Sequence, residues 1–193
     1  MMARVKGLEE IDRTDRRIIS LLMEKPDISQ SEIASHLKLS QPAIYTRIRR
    51  MKNRGIITSL VGVNLKKTDL HIAKIEITAK DPWKIVEFFK ECPICLNGLI
   101  TSGKHNMCLF FVSEKLEAID CCVNHHLRKN PNIIDVEFNV VVTPIKNLVV
   151  PLRMYHERQE KSPCGRICAK QPCYLAEKCL GCPATTFYKG KFL

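Results

Sequence analysis

The sequence predicts an α+β protein made of three consecutive parts. In the N-terminal part, apolar side chains recur every three or four positions, which is the period of amphipathic helices. The middle part alternates strand-like and helical segments, and the C-terminal part places five cysteines within 19 residues. Few apolar residues accompany those cysteines, so a bound metal is expected to staple that tail together. We therefore predict three domains, over residues 1–64, 65–145 and 146–193.

Three helices are predicted in the first domain. The first spans about residues 12–24. The second begins at Ser29, which forms a capping box with Glu32, because each side chain bonds the other residue's backbone N–H. The third spans residues 41–54 and is followed by Gly55, since glycine tolerates the left-handed conformation of a helix C-cap. The short connection between the second and third helices is typical of a helix-turn-helix.

The segment after the third helix predicts a wing. Residues 55–65, GIITSLVGVNL, alternate like a short β-hairpin. A hairpin in this place completes a winged helix-turn-helix, which we assign to about residues 9–64. Duplex DNA is the expected partner of such a domain. The alternative is a three-helix protein–protein module with a solvated basic face.

The third predicted helix has the composition of a helix that reads DNA. Ile44, Ile48 and Met51 recur at helical spacing and define its buried side. Residues 41–54 contain four arginines and one lysine and no acidic residue, which suits a groove between two rows of phosphates. The predicted DNA contacts are Gln41, Tyr45, Thr46, Arg47, Arg49, Arg50, Lys52 and Arg54.

Different roles are expected along this helix. Side chains near its start reach base edges first, so base contacts are assigned to Gln41, Tyr45, Thr46 and Arg49. Phosphate contacts are assigned to Arg50, Lys52 and Arg54. Arg47 adjoins the buried side, so a structural role is an equal alternative for it.

The distribution of charge agrees with a nucleic-acid partner. The chain has a formal net charge of +11 at pH 7. Residues 1–71 contain 14 Lys and Arg against eight Asp and Glu, and residues 143–193 contain nine against three. Residues 72–142 contain eight against nine. Two basic segments therefore flank a neutral one, as in a DNA-binding protein that carries a second domain.

The middle domain is predicted to follow the order strand, helix, strand, strand, helix, strand. HIAKIEITAK and NIIDVEFNVVVTP form the outer strands, DPWKIVEFFKEC and KLEAIDCCVNHHLRK the helices, and LNGLITSG and NMCLFFVSE a central hairpin. This is the split βαβ, or ferredoxin-like, arrangement. A four-stranded sheet with one open face favours dimerisation.

The stretch IDRTDRRIISLLMEKPDISQSEIASHLKLSQPAIYTRIRRMKNRGII resembles the DNA-binding half of the leucine-responsive regulator and AsnC (Lrp/AsnC) family of prokaryotic transcription regulators. The resemblance extends over about residues 8–142. It implies a sequence-specific transcription regulator that binds a palindromic double-stranded operator as a homodimer or a larger assembly.

The resemblance also implies a small-molecule effector, often an amino acid. In the family it binds at a subunit interface near the turn of the central hairpin, which commonly carries a Gly and an Asp. In the corresponding turn TSGKHNMC, Gly103 fits this pattern, whereas Asn106 stands where the acid is usual. Gly103 and Asn106 are therefore the candidate effector residues.

The cysteines of the middle domain are expected to be buried thiols. The alternatives are a redox pair formed by Cys92 and Cys95, and a metal site that combines the pair CC at residues 121–122 with the pair HH at residues 125–126.

The tail follows the pattern C-x3-C-x4-C-x5-C-x2-C-P. Zinc modules usually present two C-x2-C pairs, of which this tail has one, whereas four-iron clusters accept less regular spacing. We expect either a 4Fe-4S cluster or Zn²⁺, bound by four of the five thiolates, as the element that tunes DNA binding. A disordered tail of free thiols is the alternative. The tail cysteines are Cys164, Cys168, Cys173, Cys179 and Cys182. The tail also resembles a cysteine-rich motif of archaeal proteins that names no function.

Two functions of other classes compete with transcription regulation. One is an enzyme similar to the siroheme decarboxylases, which resemble the same two-domain family, with His105, His125 or His126 serving a tetrapyrrole. The other is a metal-dependent interaction protein. No convergent acid–base set stands out, so no enzymatic activity is expected. The sequence has no apolar run of about 18 residues and no apolar leader, so we expect a cytoplasmic protein without a membrane partner.

Overall fold

The computed structural model describes residues 11–191 and 193, and the chain divides into two compact units, Met1–Leu60 and Val61–Leu193. The second unit includes both the sheet and the cysteine-rich tail. This division differs from the predicted domains 65–145 and 146–193, because Tyr188 and Leu193 of the tail are buried in one cluster with sheet residues Ile72 and Val112.

The first unit is a bundle of three short helices, α1 (Arg13–Glu24), α2 (Gln30–Leu37) and α3 (Gln41–Asn53). Ile18, Ile33 and Ile44 are fully buried where the three helices meet. Truncation of such a side chain to alanine costs about 2–5 kcal/mol, so this small core determines whether the unit folds.

The N-termini of these helices are capped by side chains. Ser29 and Glu32 form the predicted capping box, with Ser29 N donating to Glu32 Oε2 at 2.8 Å and Glu32 N to Ser29 Oγ at 3.1 Å. Asp12 and Asp15 form a second capping box at α1. Between α2 and α3, Lys38 takes φ 55°, a left-handed conformation that closes the tight turn.

The predicted hairpin over residues 55–65 is wrong. Gly55 has φ 66° and ends α3 as expected, but the strand in this segment, β1 (Val63–Asn64), pairs with no neighbour in sequence. It pairs antiparallel with β6 (Val149–Val150), with Val63 opposite Val150. The apolar alternation of residues 55–65 therefore reflects a long-range pairing.

The predicted order of strands and helices in the middle domain is confirmed. The elements are β2 (His71–Ala79), α4 (Pro82–Phe89), β3 (Cys95–Ile100), β4 (Met107–Ser113), α5 (Leu116–His126) and β5 (Ile133–Val141). The antiparallel strands form a sheet of order β3-β4-β2-β5, which the two helices accompany. Inward residues such as Ile75, Leu109 and Phe138 stand side by side on adjacent strands and form the core with Ile85 and Ile119.

The tail is irregular and wraps onto the same unit. Its short helix, α6 (Pro172–Leu175), follows a 3-10 turn at Cys168–Lys170. Gln159 forms a parallel bridge with Thr185. In Gly181, φ is 85° and an added Cβ would lie 2.8 Å from the Phe187 carbonyl oxygen, so the backbone comes close to itself here.

Within the described residues, every helix is too short or too polar to cross a membrane. The expected cytoplasmic location stays a prediction.

Candidate DNA-binding helix and thiol-lined cavity

Helix α3 presents the predicted side to solvent. Ile44, Ile48 and Met51 are buried, whereas Tyr45 is 48% exposed. The remaining exposed side chains of the helix are those of Gln41, Pro42, Thr46, Arg49, Arg50, Lys52 and Asn53, and the C-cap Arg54 is exposed as well. The exposed side therefore carries cations and neutral hydrogen-bonding groups, and no acid.

Two arginines of α3 are held by α1 through a buried carboxylate. Asp15 is fully buried. Arg47 Nη1 lies 2.9 Å from Asp15 Oδ1 and 2.5 Å from Asp12 Oδ2, and Arg50 Nη2 donates to Asp15 Oδ2. The backbone N–H of Asp15 and the Arg47 guanidinium lower the pKa of Asp12. The pairs thus fix the rotation of α3 against α1.

This network distinguishes the cations of α3 that are bonded to α1 from those that are not. Arg47 is bonded to Asp15, which agrees with the structural role that was its alternative. Arg50, which was expected to contact a phosphate, is bonded to Asp15 as well. Arg49 and Lys52 make no ion pair with any residue that the structure describes. Thr46 Oγ1 donates to the Pro42 carbonyl at 2.9 Å, which orients its methyl group and leaves its lone pairs available. The DNA contacts themselves stay a prediction.

The turn of the central hairpin is closed by the candidate effector residue Asn106. Its Nδ2 donates to the Ala79 carbonyl at 2.7 Å, and its Oδ1 accepts from the Ala79 N–H at 2.9 Å. A carboxylate could accept but not donate, so the amide suits this contact better than the acid usual in the resembling family. Gly103 lies in the same turn with φ 124° and is exposed. A role of either residue in effector binding stays a prediction.

The second candidate site is a cavity of about 110 Å³ in the second unit. All five tail cysteines line it. Three further cysteines line it too, namely Cys92, which follows α4, and Cys121 and Cys122 on α5. We call these three the sheet cysteines, because α4 and α5 pack against the sheet. The sequence predicts them to be buried thiols. The adjacent pair at residues 121–122 was the one feature of the sequence that could have indicated a thiol-lined site.

Hydrogen-bond donors point at two sulfurs of the tail. Cys168 Sγ accepts from the backbone N–H of Cys182 at 3.3 Å and from the buried hydroxyl of Thr185 at 3.7 Å. Cys179 Sγ accepts from the N–H of Gly181 at 3.4 Å. Donors of this kind stabilise a negatively charged sulfur and are a feature of thiolate-ligated centres.

The thiols also contact one another across the tail and the sheet. Cys92 and Cys122 are hydrogen-bonded, which lowers the pKa of Cys92 and, with burial, raises that of Cys122. Burial, followed by a hydrogen bond with Cys173, raises the pKa of Cys121 to about 12. Cys173 also contributes, after burial, to the raised pKa of Cys179. The first two pairs join side chains that are separated by 30 or more residues in sequence.

Burial favours the neutral thiol form of two tail cysteines. It raises the pKa of Cys182 to about 12 and that of Cys179 to about 11. A metal ion that binds such thiols must displace their protons. All ten cysteines are free thiols in this structure.

A cation and two histidines are among the other polar residues that line the cavity. Arg166 donates to Gln171 Oε1 at 3.1 Å and to the His125 carbonyl at 3.4 Å. Burial and, after it, the charge of Arg166 lower the pKa of His126 to about 4 and also lower that of His125. The His126 ring packs 4.9 Å from the Phe88 ring, centre to centre. Both histidines are therefore neutral at pH 7, and His126 packs against the aromatic side chains of α4.

No three His, Cys, Asp or Glu side chains in the described part of the chain are grouped as ligands of one metal ion. The cysteines surround a space instead of converging on a point. Whether four of the five tail cysteines bind a metal stays a prediction.

Comparisons with known proteins agree with the fold and the DNA-binding helix. Residues 11–58 match the family model described as winged helix-turn-helix DNA-binding. The uncharacterized HTH-type transcriptional regulator PF1734 of Pyrococcus furiosus is 31% identical over 111 residues, which cover 57% of this chain and 70% of that protein. The structure of AsnC from E. coli superposes with a TM-score of 0.60 at 20% identity, over 73% of this chain and 98% of AsnC.

The chain belongs to the Lrp/AsnC family. As a member it is a DNA-binding transcription regulator. The transcriptional regulator NMB0573 of Neisseria meningitidis, solved as its complex with L-Met, shares the fold with a TM-score of 0.61 at 18% identity, over 74% of this chain and 96% of that one. Each of these three proteins leaves more than a quarter of the chain uncovered.

Proposed function

We propose that this regulator binds a palindromic duplex operator through α3, as a homodimer or a larger assembly, and that a thiolate-ligated metal centre tunes this binding. The observation that carries the proposal is the exposed side of α3. It is basic and free of acid, and its orientation is fixed by the Asp15 network.

The Asp15 network refines the assignment of the predicted DNA contacts. Arg47 and Arg50 position the helix, because both are bonded to Asp15. Gln41, Tyr45, Thr46 and Arg49 are assigned to base edges, since they are exposed on the first three turns of α3. Lys52 and Arg54 are assigned to phosphates.

A second copy of the chain is the proposed partner of the sheet. Leu99 on β3 is 49% exposed and Ile100 45% exposed, and Phe110 on β4 is partly exposed. Apolar side chains left in water favour association, and a two-fold pair of α3 helices matches a palindromic operator.

A small-molecule effector remains part of the proposal, at the turn of Gly103 and Asn106. The relative from Neisseria meningitidis was solved with L-Met. Because Asn106 is bonded to the backbone of Ala79 through both amide atoms, the backbone around Gly103 is the better candidate contact.

The metal centre is proposed as the switch because of where the tail is attached. A four-iron cluster or Zn²⁺ bound by tail thiolates would hold residues 164–182 in one conformation. The segment before the tail, β6, pairs with β1, which begins three residues after Leu60. A change in the tail therefore acts on the strand that continues from the DNA-binding unit.

Gel-shift measurements with Arg49→Ala test the DNA-binding assignment. The operator fragment would first be selected from random duplexes. We expect a loss of about ten- to a hundredfold in affinity, because Arg can bond two base acceptors, and affinity of the unaltered protein should fall as salt rises. Arg17→Ala, an exposed arginine of α1, is the matched control. An affinity that Arg49→Ala leaves unchanged, or that salt does not affect, would overturn the assignment.

A further inference from the structure

Residues 188–193 form one side of the thiol-lined cavity, and we call this segment the clasp. The described residues that line the cavity lie within residues 88–126 or 162–183, apart from Tyr188 and Leu193. The clasp is therefore a separate piece of the wall, added after the last of the eight cysteines that line the cavity.

The clasp lies at the surface with two of its side chains directed inward. Lys189 and Lys191 are exposed, whereas Tyr188 is only 8% exposed and Leu193 only 7%. Both inward side chains also belong to the apolar cluster that includes Ile72 of β2. The clasp therefore covers the cavity and this cluster at the same time, and its release would open both to water.

One carboxylate holds the clasp on the sheet. Glu114, the residue after β4, accepts a hydrogen bond from the Tyr188 hydroxyl. It also accepts the backbone N–H of Lys191, at 2.9 Å to Oε1 and 3.0 Å to Oε2. Burial and, after it, the bond to Glu114 raise the pKa of Tyr188, so the hydroxyl remains the donor. Hydrogen bonds to a charged acceptor are about twice as strong as those between neutral groups. We call these contacts the latch.

The backbone of the clasp passes directly over the latch at Gly190. An added Cβ at this position would overlap the Tyr188 hydroxyl and the Glu114 Oε1 atom. These two atoms bond each other, so a side chain at position 190 would have to separate them. The absence of a side chain at Gly190 is therefore a condition for the latch to form.

Contacts with the tail hold the clasp from the other side. The backbone N–H of Lys189 donates to the Leu180 carbonyl at 2.8 Å, and its ammonium group lies 4.5 Å from the centre of the Tyr174 ring. These contacts do not involve Glu114. Breaking the latch therefore detaches the clasp from the sheet and leaves its attachment to the tail intact.

We propose that the clasp is a cover of the thiol-lined cavity and that the latch on Glu114 keeps it closed. Its release admits thiophilic metal ions and thiol reagents to the eight cysteines. A short surface segment opens at a lower free-energy cost than the unfolding of a sheet, and cysteine reactivity depends on access. The proposal concerns access to the thiols, so it stands independently of the metal centre proposed above.

Thiol labelling of the full chain tests the proposal. The protein would be kept anaerobic as purified and treated with N-ethylmaleimide, and mass spectrometry of its peptides would give the labelling rate at each cysteine. Glu114→Ala removes the latch, so we expect the cavity cysteines to be labelled about tenfold faster or more. Tyr188→Phe keeps the buried ring and loses one bond of the latch, so an increase of about three- to tenfold is expected.

Two controls distinguish release of the clasp from a general loss of stability. Glu117→Ala removes an exposed carboxylate of α5, three residues after Glu114, and should be labelled like the unaltered protein. Cys108 lies in β4 and does not line the cavity. Its labelling rate is an internal reference in every sample and should be the same in all variants.

Each outcome decides for or against the clasp. Faster labelling that is confined to the cavity cysteines supports it. Unchanged labelling in both Glu114→Ala and Tyr188→Phe would overturn it, because the latch would then not control access. An equal acceleration at Cys108 would overturn it too, since the variants would act by unfolding the whole unit. Metal analysis of the same samples is a separate result. A chain without metal would contradict the proposed metal centre and leave the clasp unaffected.

Discussion

Helix α3 and the thiol-lined cavity are assembled in opposite ways. One continuous segment, residues 41–53, provides both the buried and the exposed side of α3. The cavity combines the end of α4, one face of α5 and two stretches of the tail, and its eight cysteines come from all of these segments. A site made by one helix can be identified from its periodicity. A site made by several segments appears only when the chain is folded.

Removal of metal should have the largest effect and should separate the two regions. A structural thiolate site contributes about 10 kcal/mol or more of binding free energy. We expect a chelator to open the tail to trypsin at the nine Lys and Arg of residues 143–193, while α1–α3 stay protected. Limited proteolysis with mass spectrometry measures both regions in one sample. Equal protection of the tail before and after stripping would contradict the prediction.

Asp15→Ala should have the next largest effect, and it should fall on the DNA-binding unit. The change leaves Arg47 and Arg50 without their buried partner, but both guanidinium groups can turn toward water. We therefore expect a loss of about 2–3 kcal/mol in the free energy of unfolding of this unit. Urea unfolding followed by circular dichroism measures it. Asp27→Ala, at an exposed position, should change it by less than about 0.5 kcal/mol.

Asn106→Asp should have a smaller effect on the second unit. The carboxylate cannot donate to the Ala79 carbonyl, so one hydrogen bond of 2.7 Å is lost. A loss of about 1–2 kcal/mol is expected in the free energy of unfolding. Asn97→Asp, in an exposed position on β3, is the comparison. If Asn106→Asp were as stable as the unaltered protein, the amide contact would not determine the conformation of the turn.

The capping box of α2 should give the smallest effect, visible only in acid. The hydrogen bond from Lys25 and that from the Ser29 N–H lower the pKa of Glu32 from 4.5 to about 2. A carboxyl whose pKa is lowered by folding stabilises the folded state above pH 4.5, and this contribution is lost as the pH falls toward 2. Glu32→Gln should show a shallower decline of stability over this range. A parallel decline in both proteins, measured by urea unfolding at several pH values, would contradict the assignment.

Much of the fold could be predicted because it follows from local rules. Ser29 and Glu32 marked the start of α2, Gly55 marked the end of α3, and apolar alternation marked the strands of the sheet. The prediction of a hairpin over residues 55–65 was wrong for a physical reason. Alternation shows that a strand has two unlike faces, but it does not show which strand is its partner, and Val63 pairs with Val150.

The same limit applies to the candidate sites. Helical spacing placed Arg49 on the exposed side of α3, but it could not show that Arg50 is bonded to Asp15, 35 residues earlier. The tail pattern predicted a metal centre. It could not show that Cys92 and Cys122 stand beside the tail, because their approach depends on how α5 packs.

The sequence by itself determined the elements whose information is local: three helices, one of them with its capping box, a βαββαβ order, a basic helix without acid and a tail rich in thiols. Tertiary structure decided the partners of those elements, namely the pairing of β1 with β6, the Asp15 network and the grouping of sheet and tail cysteines. The physical reason is range. Periodicity and capping act over a few residues along the chain, whereas burial brings together side chains from distant segments, and their contacts exist only in the folded protein.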